Sequence, residues 1–147
     1  MKKWNQSYGF LLGKVLQQME SQFAEGLIPF KINARQYGVL LFIQGNPYSS
    51  QKIISENLQI DRTTMVSHID HLETLGFVER TKNPNDRRSY SLVITEKGKD
   101  VLNSRWEFLN NVELEVLAPL NANERQLLKD LLVKVWSHYR KTGGSRL

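Results

Sequence analysis

Apolar residues along this chain recur mostly at intervals of three and four, and one short stretch near the middle alternates instead. Over residues 5–24, Tyr8, Leu11, Leu12, Val15, Leu16, Met19 and Phe23 predict a helix with a wide apolar face, which Gly26 and Pro29 are expected to end. Asn33 and Gln36 have the spacing of a capping box for a second helix with Tyr37, Leu40, Leu41 and Ile43 inward, stopped by Gly45-Asn46-Pro47. A short third helix over 51–58 is capped by Ser49 or Ser50 and turns Ile53, Ile54 and Leu58 inward. After Gln59-Ile60-Asp61 a fourth helix carries Met65, Val66, Ile69, Leu72 and Leu75 as its apolar stripe. Arg62, Thr63, Thr64, Ser67, His68 and His71 fall off that stripe. Asp61 can accept from the free amides of the first turn, and Gly76 can take the left-handed conformation that ends the helix.

The period then changes. Residues 77–82 form one short strand and 89–94 a second, with Tyr90, Leu92 and Ile94 on one side against Ser89, Ser91 and Val93. Between them Asn83-Pro84-Asn85-Asp86-Arg87-Arg88 is a turn that carries two adjacent arginines. Two helices joined by a short link, followed by a hairpin, predict a mainly α chain with a small β-hairpin wing: a winged helix-turn-helix over about 33–98. Thr95 opens a fifth helix to about residue 117, and Pro119 bars its continuation. Asn121 or Asn123 caps a last helix carrying Leu127, Leu128, Leu131, Leu132, Val135, Trp136 and Tyr139, and residues 141–147 are expected to be a disordered tail. The helices over 5–30 and 99–140 carry more apolar surface than a small winged lobe needs, which predicts that they pack on each other and on a second copy, with a thicker monomer core as the alternative.

The 147 residues suit one domain. A net charge of +5 favours polyanionic partners without requiring them. With no cysteine, disulfides, thiolate metal sites and thiol redox switching are excluded. No run approaches the roughly 18 apolar residues of a membrane span, so a cytoplasmic protein with no membrane association is expected. The chain has no glycine-rich phosphate loop, no clustered carboxylates and no recognisable nucleophile-base pairing, so an enzyme is not expected, nor any cofactor. A donor-bearing helix suits the major groove of DNA, and adjacent arginines on a protruding tip suit the minor groove.

Residues 86–98, D-R-R-S-Y-S-L-V-I-T-E-K-G, resemble the wing signature of the MarR family of winged-helix transcription regulators: D-x-R, a strand, then L-T-x-x-G, with Ile94 in place of the leucine. Leu72, Glu73, Gly76, Phe77, Val78 and Arg80 are similar to the family's helix-to-wing junction. A twofold dimer, expected from the excess apolar surface of the terminal helices, would place two recognition helices about 34 Å apart on double-stranded DNA and read a pseudo-palindromic operator. The resemblance implies that Arg88 and Arg87 enter the minor groove with Asp86 orienting a guanidinium, and that Arg62, Thr63, Thr64, Ser67 and His68 face bases or phosphates. Ser50 and Gln51 are then phosphate contacts at a helix N-terminus. A repressor released by a small-molecule effector follows, with Tyr8, Phe23, Tyr37, Phe42 and Trp106 as candidate pocket residues, although each singly reads more simply as core.

Two alternatives keep the fold: a winged-helix module that binds only protein, and a metal-responsive regulator. His68 and His71 stand three apart around Asp70, but no third ligand is near in sequence, so no metal is assigned.

Overall fold

The computed structural model describes residues 1–83 and 86–143, without the side chains of 86–88 and 141–143. Its element order is α1 (Tyr8–Leu27), α2 (Ala34–Gly45), β1 (Ser49–Ser50), α3 (Gln51–Leu58), α4 (Arg62–Thr74), β2 (Val78–Asn83), β3 (Asp86–Ile94), α5 (Glu96–Val116) and α6 (Ala122–Gly143). Short 3-10 turns precede α1 and connect α1 to α2. The chain is mainly helical, with one three-stranded antiparallel sheet in the order β1-β3-β2.

Side-chain caps set most helix starts. Asn33 and Gln36 close the expected capping box at 3.0 and 2.8 Å. Ser50, rather than Ser49, accepts from the Ile53 amide at 3.2 Å. Asp61 accepts from the Thr64 amide at 2.8 Å and from the Thr64 hydroxyl at 2.7 Å, and Asn121 forms a second capping box with Glu124. Each satisfies amides that the first turn cannot pair internally, worth about 1 kcal/mol.

The core is assembled from one face of each element, with Phe23 and Leu27 of α1, Tyr37, Val39, Leu40 and Ile43 of α2, Ile54 of α3, and Met65, Ile69 and Leu72 of α4 all buried. Phe77, Val78, Leu92, Val101 and Leu102 complete it. Tyr37 meets Phe23 edge to face at 5.1 Å and donates its hydroxyl to the Leu102 carbonyl at 3.0 Å, which ties α2 to α1 and α5.

Several expectations change. Gly26 does not end α1, which runs on to Leu27. A Cβ at Gly26 would lie 2.3 Å from the Phe108 ring, so its role is the close approach of α1 to α5. Ile53 and Val66 are exposed, while Val39 is buried. Strand β1 leaves no sign in the sequence because two residues are too short for an alternation to register. By pairing Ser49 with Leu92 and Ser50 with Ser91, it makes β3 the central strand, so Ser91 and Leu92 are both buried while Tyr90 is exposed. Helix α6 extends to Gly143, into the expected tail, and residues 144–147 lie outside the described residues.

The wing, α4 and α5 meet at one point. Gly76 turns the chain at φ 81°. The Thr95 hydroxyl donates to the Gly76 carbonyl at 2.6 Å, and the Thr95 amide donates to the Phe77 carbonyl at 3.0 Å. Gly98, one turn into α5, lies so close that a Cβ there would stand 2.3 Å from the Phe77 carbonyl oxygen. Backbone cannot yield as a side-chain end can. Gly98→Ala should therefore cost about 1–3 kcal/mol of stability, read as a lower urea midpoint with an unchanged slope.

Candidate nucleic-acid interface

Helix α4 has two chemically distinct faces. Met65, Ile69 and Leu72 are fully buried, each contributing about 1.5–3 kcal/mol through burial. On the opposite side Arg62, Thr63, Val66, Ser67 and Asp70 are exposed. Thr64 is half-buried, its hydroxyl turned back to Asp61. Those hydrogen bonds from Thr64 hold the Asp61 carboxyl below its usual pKa, so the capped form persists to lower pH than a free aspartate would allow.

His68 departs from its expected place on the polar face. It is only 8% exposed, and its Nδ1 lies 3.3 Å from the Gln36 amide nitrogen. Because that nitrogen donates, the imidazole accepts at Nδ1 and carries its proton on Nε2, which is buried without a hydrogen-bond partner among the described residues. The inward turn follows from helix geometry: His68 lies one turn before Leu72 and beside Ile69, on the side of α4 that faces α2. His71 points elsewhere, its Nε2 at 2.7 Å from the Lys31 carbonyl. The two histidines thus engage different partners, and no group of three metal-binding side chains occurs among the described residues.

The wing is braced against α4 by Arg80, which donates to Asp70 at 2.5 Å and to Glu73 at 3.1 Å. These pairs are partly exposed and each is worth about 0–1 kcal/mol. Their use is geometric, since one guanidinium held by two carboxylates of α4 fixes the strand that leads to the tip. The sequence marks Glu73 and Arg80 only as a resemblance and does not show that they pair. Strand β3 carries Asp86, Arg87 and Arg88 in its first positions. Their side chains, and the tip residues Pro84 and Asn85, lie outside the described residues.

Ser50 and Gln51 stand at the start of α3, beside a groove of ≈ 660 Å³ that Tyr48, Lys52, Arg80, Asn83 and Tyr90 also line. Of the five aromatics expected to line an effector pocket, Phe23 and Tyr37 meet each other, and they do so inside the core. Phe42 is half-buried, and Tyr8 and Trp106 are 87% and 50% exposed. None of them lines that groove or the second concavity, of ≈ 460 Å³, between Phe30, Leu75, Phe77 and Val101. No described helix is long and apolar enough to cross a membrane.

Two helices across a short turn, with a hairpin braced against the second, define a winged helix-turn-helix protein. A sequence model of the MarR family matches residues 30–89. The HTH-type transcriptional regulator PecS of Dickeya dadantii is 31% identical over 112 residues, covering 74% of this chain and 68% of that protein. A crystal structure of MarR superposes with a TM-score of 0.87 at 21% identity, covering 99% of both chains. A mutant MarR from E. coli complexed with operator DNA has a TM-score of 0.80 at 28% identity, covering 92% of this chain and 99% of that one. The chain belongs to the MarR family: it is a DNA-binding transcription regulator and not an enzyme.

Burial holds the pKa of His68 below its usual 6.5, with the nearby charges of Arg35 and His71 acting the same way and Asp61 opposing them. The unfolded chain therefore binds a proton at this residue more readily than the folded one, and stability falls as the pH drops below about 6.5. The urea midpoint should decline between about pH 7.5 and pH 5.5, and His68→Gln, neutral throughout, should make that decline shallower. An equally steep decline in the variant would place the pH sensitivity in other groups.

Proposed function

We propose that this chain is a homodimeric repressor that occupies a pseudo-palindromic operator, with α4 in the major groove and the wing tip in the adjacent minor groove. The observation that carries this reading is the exposed face of α4, where Arg62, Thr63 and Ser67 stand clear of the core on a helix whose other side is fixed by three fully buried residues. Such a helix can present donors to base edges without itself moving. Arg62, Thr63 and Ser67 are assigned to bases or phosphates, Thr64 to a phosphate, Ser50 and Gln51 to phosphates from the start of α3, and Arg87 and Arg88, beside Asp86, to the minor groove. His68 is withdrawn from this set because its ring is buried. The 28% identical MarR solved with operator DNA supports the mode of docking.

The dimer rests on uncovered apolar surface. Leu12, Val15 and Leu16 of α1 and Leu127, Leu131, Leu132 and Trp136 of α6 are all exposed, far more than a soluble helix pair leaves to water. Helix α6 touches the lobe through the end of α3, where Gln59 donates to the Tyr139 carbonyl at 3.1 Å and Arg140 donates to Asn57 at 3.0 Å. A small-molecule effector that bound one spacing of the two lobes in preference to the other would release the operator.

Selection of bound duplexes from a random pool at about 150 mM salt, with sedimentation of the free protein alongside, tests the reading. The expected result is an enriched inverted repeat, half-sites about 10 base pairs apart, bound by a dimer. No enrichment from a folded dimer would favour a protein-binding module instead. On the recovered operator, Arg62→Ala and Arg88→Ala should each weaken binding by about 1–3 kcal/mol in a gel-shift titration while leaving the dimer intact.

A further inference from the structure

Val66 belongs to the apolar stripe of α4 by sequence, yet the fold leaves it 40% exposed. Its position explains why. At 100° per residue, Arg62, Val66 and Asp70 run in one line along the helix, with Thr63 and Ser67 on its outer side and the fully buried Ile69 about 60° round on the other. Val66 is therefore at the inner edge of the exposed face, one turn from Arg62 on one side and one turn from the Arg80-braced Asp70 on the other.

Val66 is not part of the core cluster, and β-branching makes it a poorer helix former than alanine or a long polar residue. Its neighbours Arg62, Thr63 and Ser67 can read hydrogen-bonding edges, which an isopropyl group cannot do. The apolar feature that a major groove offers is the 5-methyl group of thymine. We propose that Val66 is a specificity-determining residue that contacts a thymine 5-methyl group in each half-site, next to the bases met by Arg62 and Ser67. The inference rests on the docking of α4 in the major groove described above.

The test uses the duplex recovered by selection, with each thymine replaced in turn by deoxyuridine, which removes the methyl group and leaves base pairing unchanged. For the natural protein, one symmetry-related pair of positions should lose about three- to four-fold in affinity per methyl group removed from water. For Val66→Ala, the unsubstituted operator should bind more weakly by a similar factor, and deoxyuridine at that pair should then have no further effect. Val66→Thr, which keeps one methyl group, should fall between the two. Circular dichroism and the thermal midpoint of Val66→Ala should match the natural protein, since the residue is exposed. A scan in which no thymine is sensitive, or in which the same thymine stays sensitive in Val66→Ala, would overturn the assignment. A failure of the docking itself would look different: Arg62→Ala would be without effect, or no duplex would be recovered.

Discussion

The contact of α5 with the carbonyl of Phe77 is the constraint on which the working geometry of this molecule depends. Gly98 packs against that carbonyl so closely that no side chain fits between them, and Thr95 pairs with it and with the carbonyl of Gly76. Lys97 adds a hydrogen bond to the Leu75 carbonyl at 2.9 Å. The last turn of α4, the base of the wing and the first turn of α5 are thus one hydrogen-bonded unit. The carbonyls of Leu75, Gly76 and Phe77, which follow the last turn of α4, are satisfied by the residues that begin α5.

That junction gives the exposed face of α4 its meaning. A helix that reads DNA has to hold several side chains in fixed relation to a groove, and here the inner face is locked by burial while Arg80 braces the wing against the outer edge. His68 belongs to the same arrangement from beneath. Its ring connects α4 to Gln36, and the other end of the Gln36 amide caps α2, so the start of α2 and the middle of α4 share one side chain. Among the polar residues of α4, His68 is structural and Arg62, Thr63 and Ser67 remain free to meet a partner.

The terminal helices follow a different rule. Helix α1 is buried only toward its C-terminal end, at Phe23 and Leu27, and α6 lies mostly beyond the core. Their uncovered apolar residues support association with a second copy. The hydrogen bonds of Gln59 and Arg140 between α3 and α6 would carry a change in that association into the DNA-binding lobe.

The sequence by itself determined what local physics decides. Asp61 and Asn33 cap because a short acceptor reaches free amides of its own first turn, Gly76 turns because only its backbone accepts φ 81° without strain, and the change of period at Phe77 marks the wing. It also held the wing signature, and with it the family. What only the tertiary structure decided is which element covers which. Val66 and His68 exchange their expected sides because the boundary of the buried face depends on where α2 lies, not on hydropathy. Gly26 serves an approach to Phe108 eighty-two residues away rather than a helix end, and β1 exists only because β3 is beside it. Contacts between residues far apart in the chain leave no periodic trace in it, so these assignments had to come from the packed molecule.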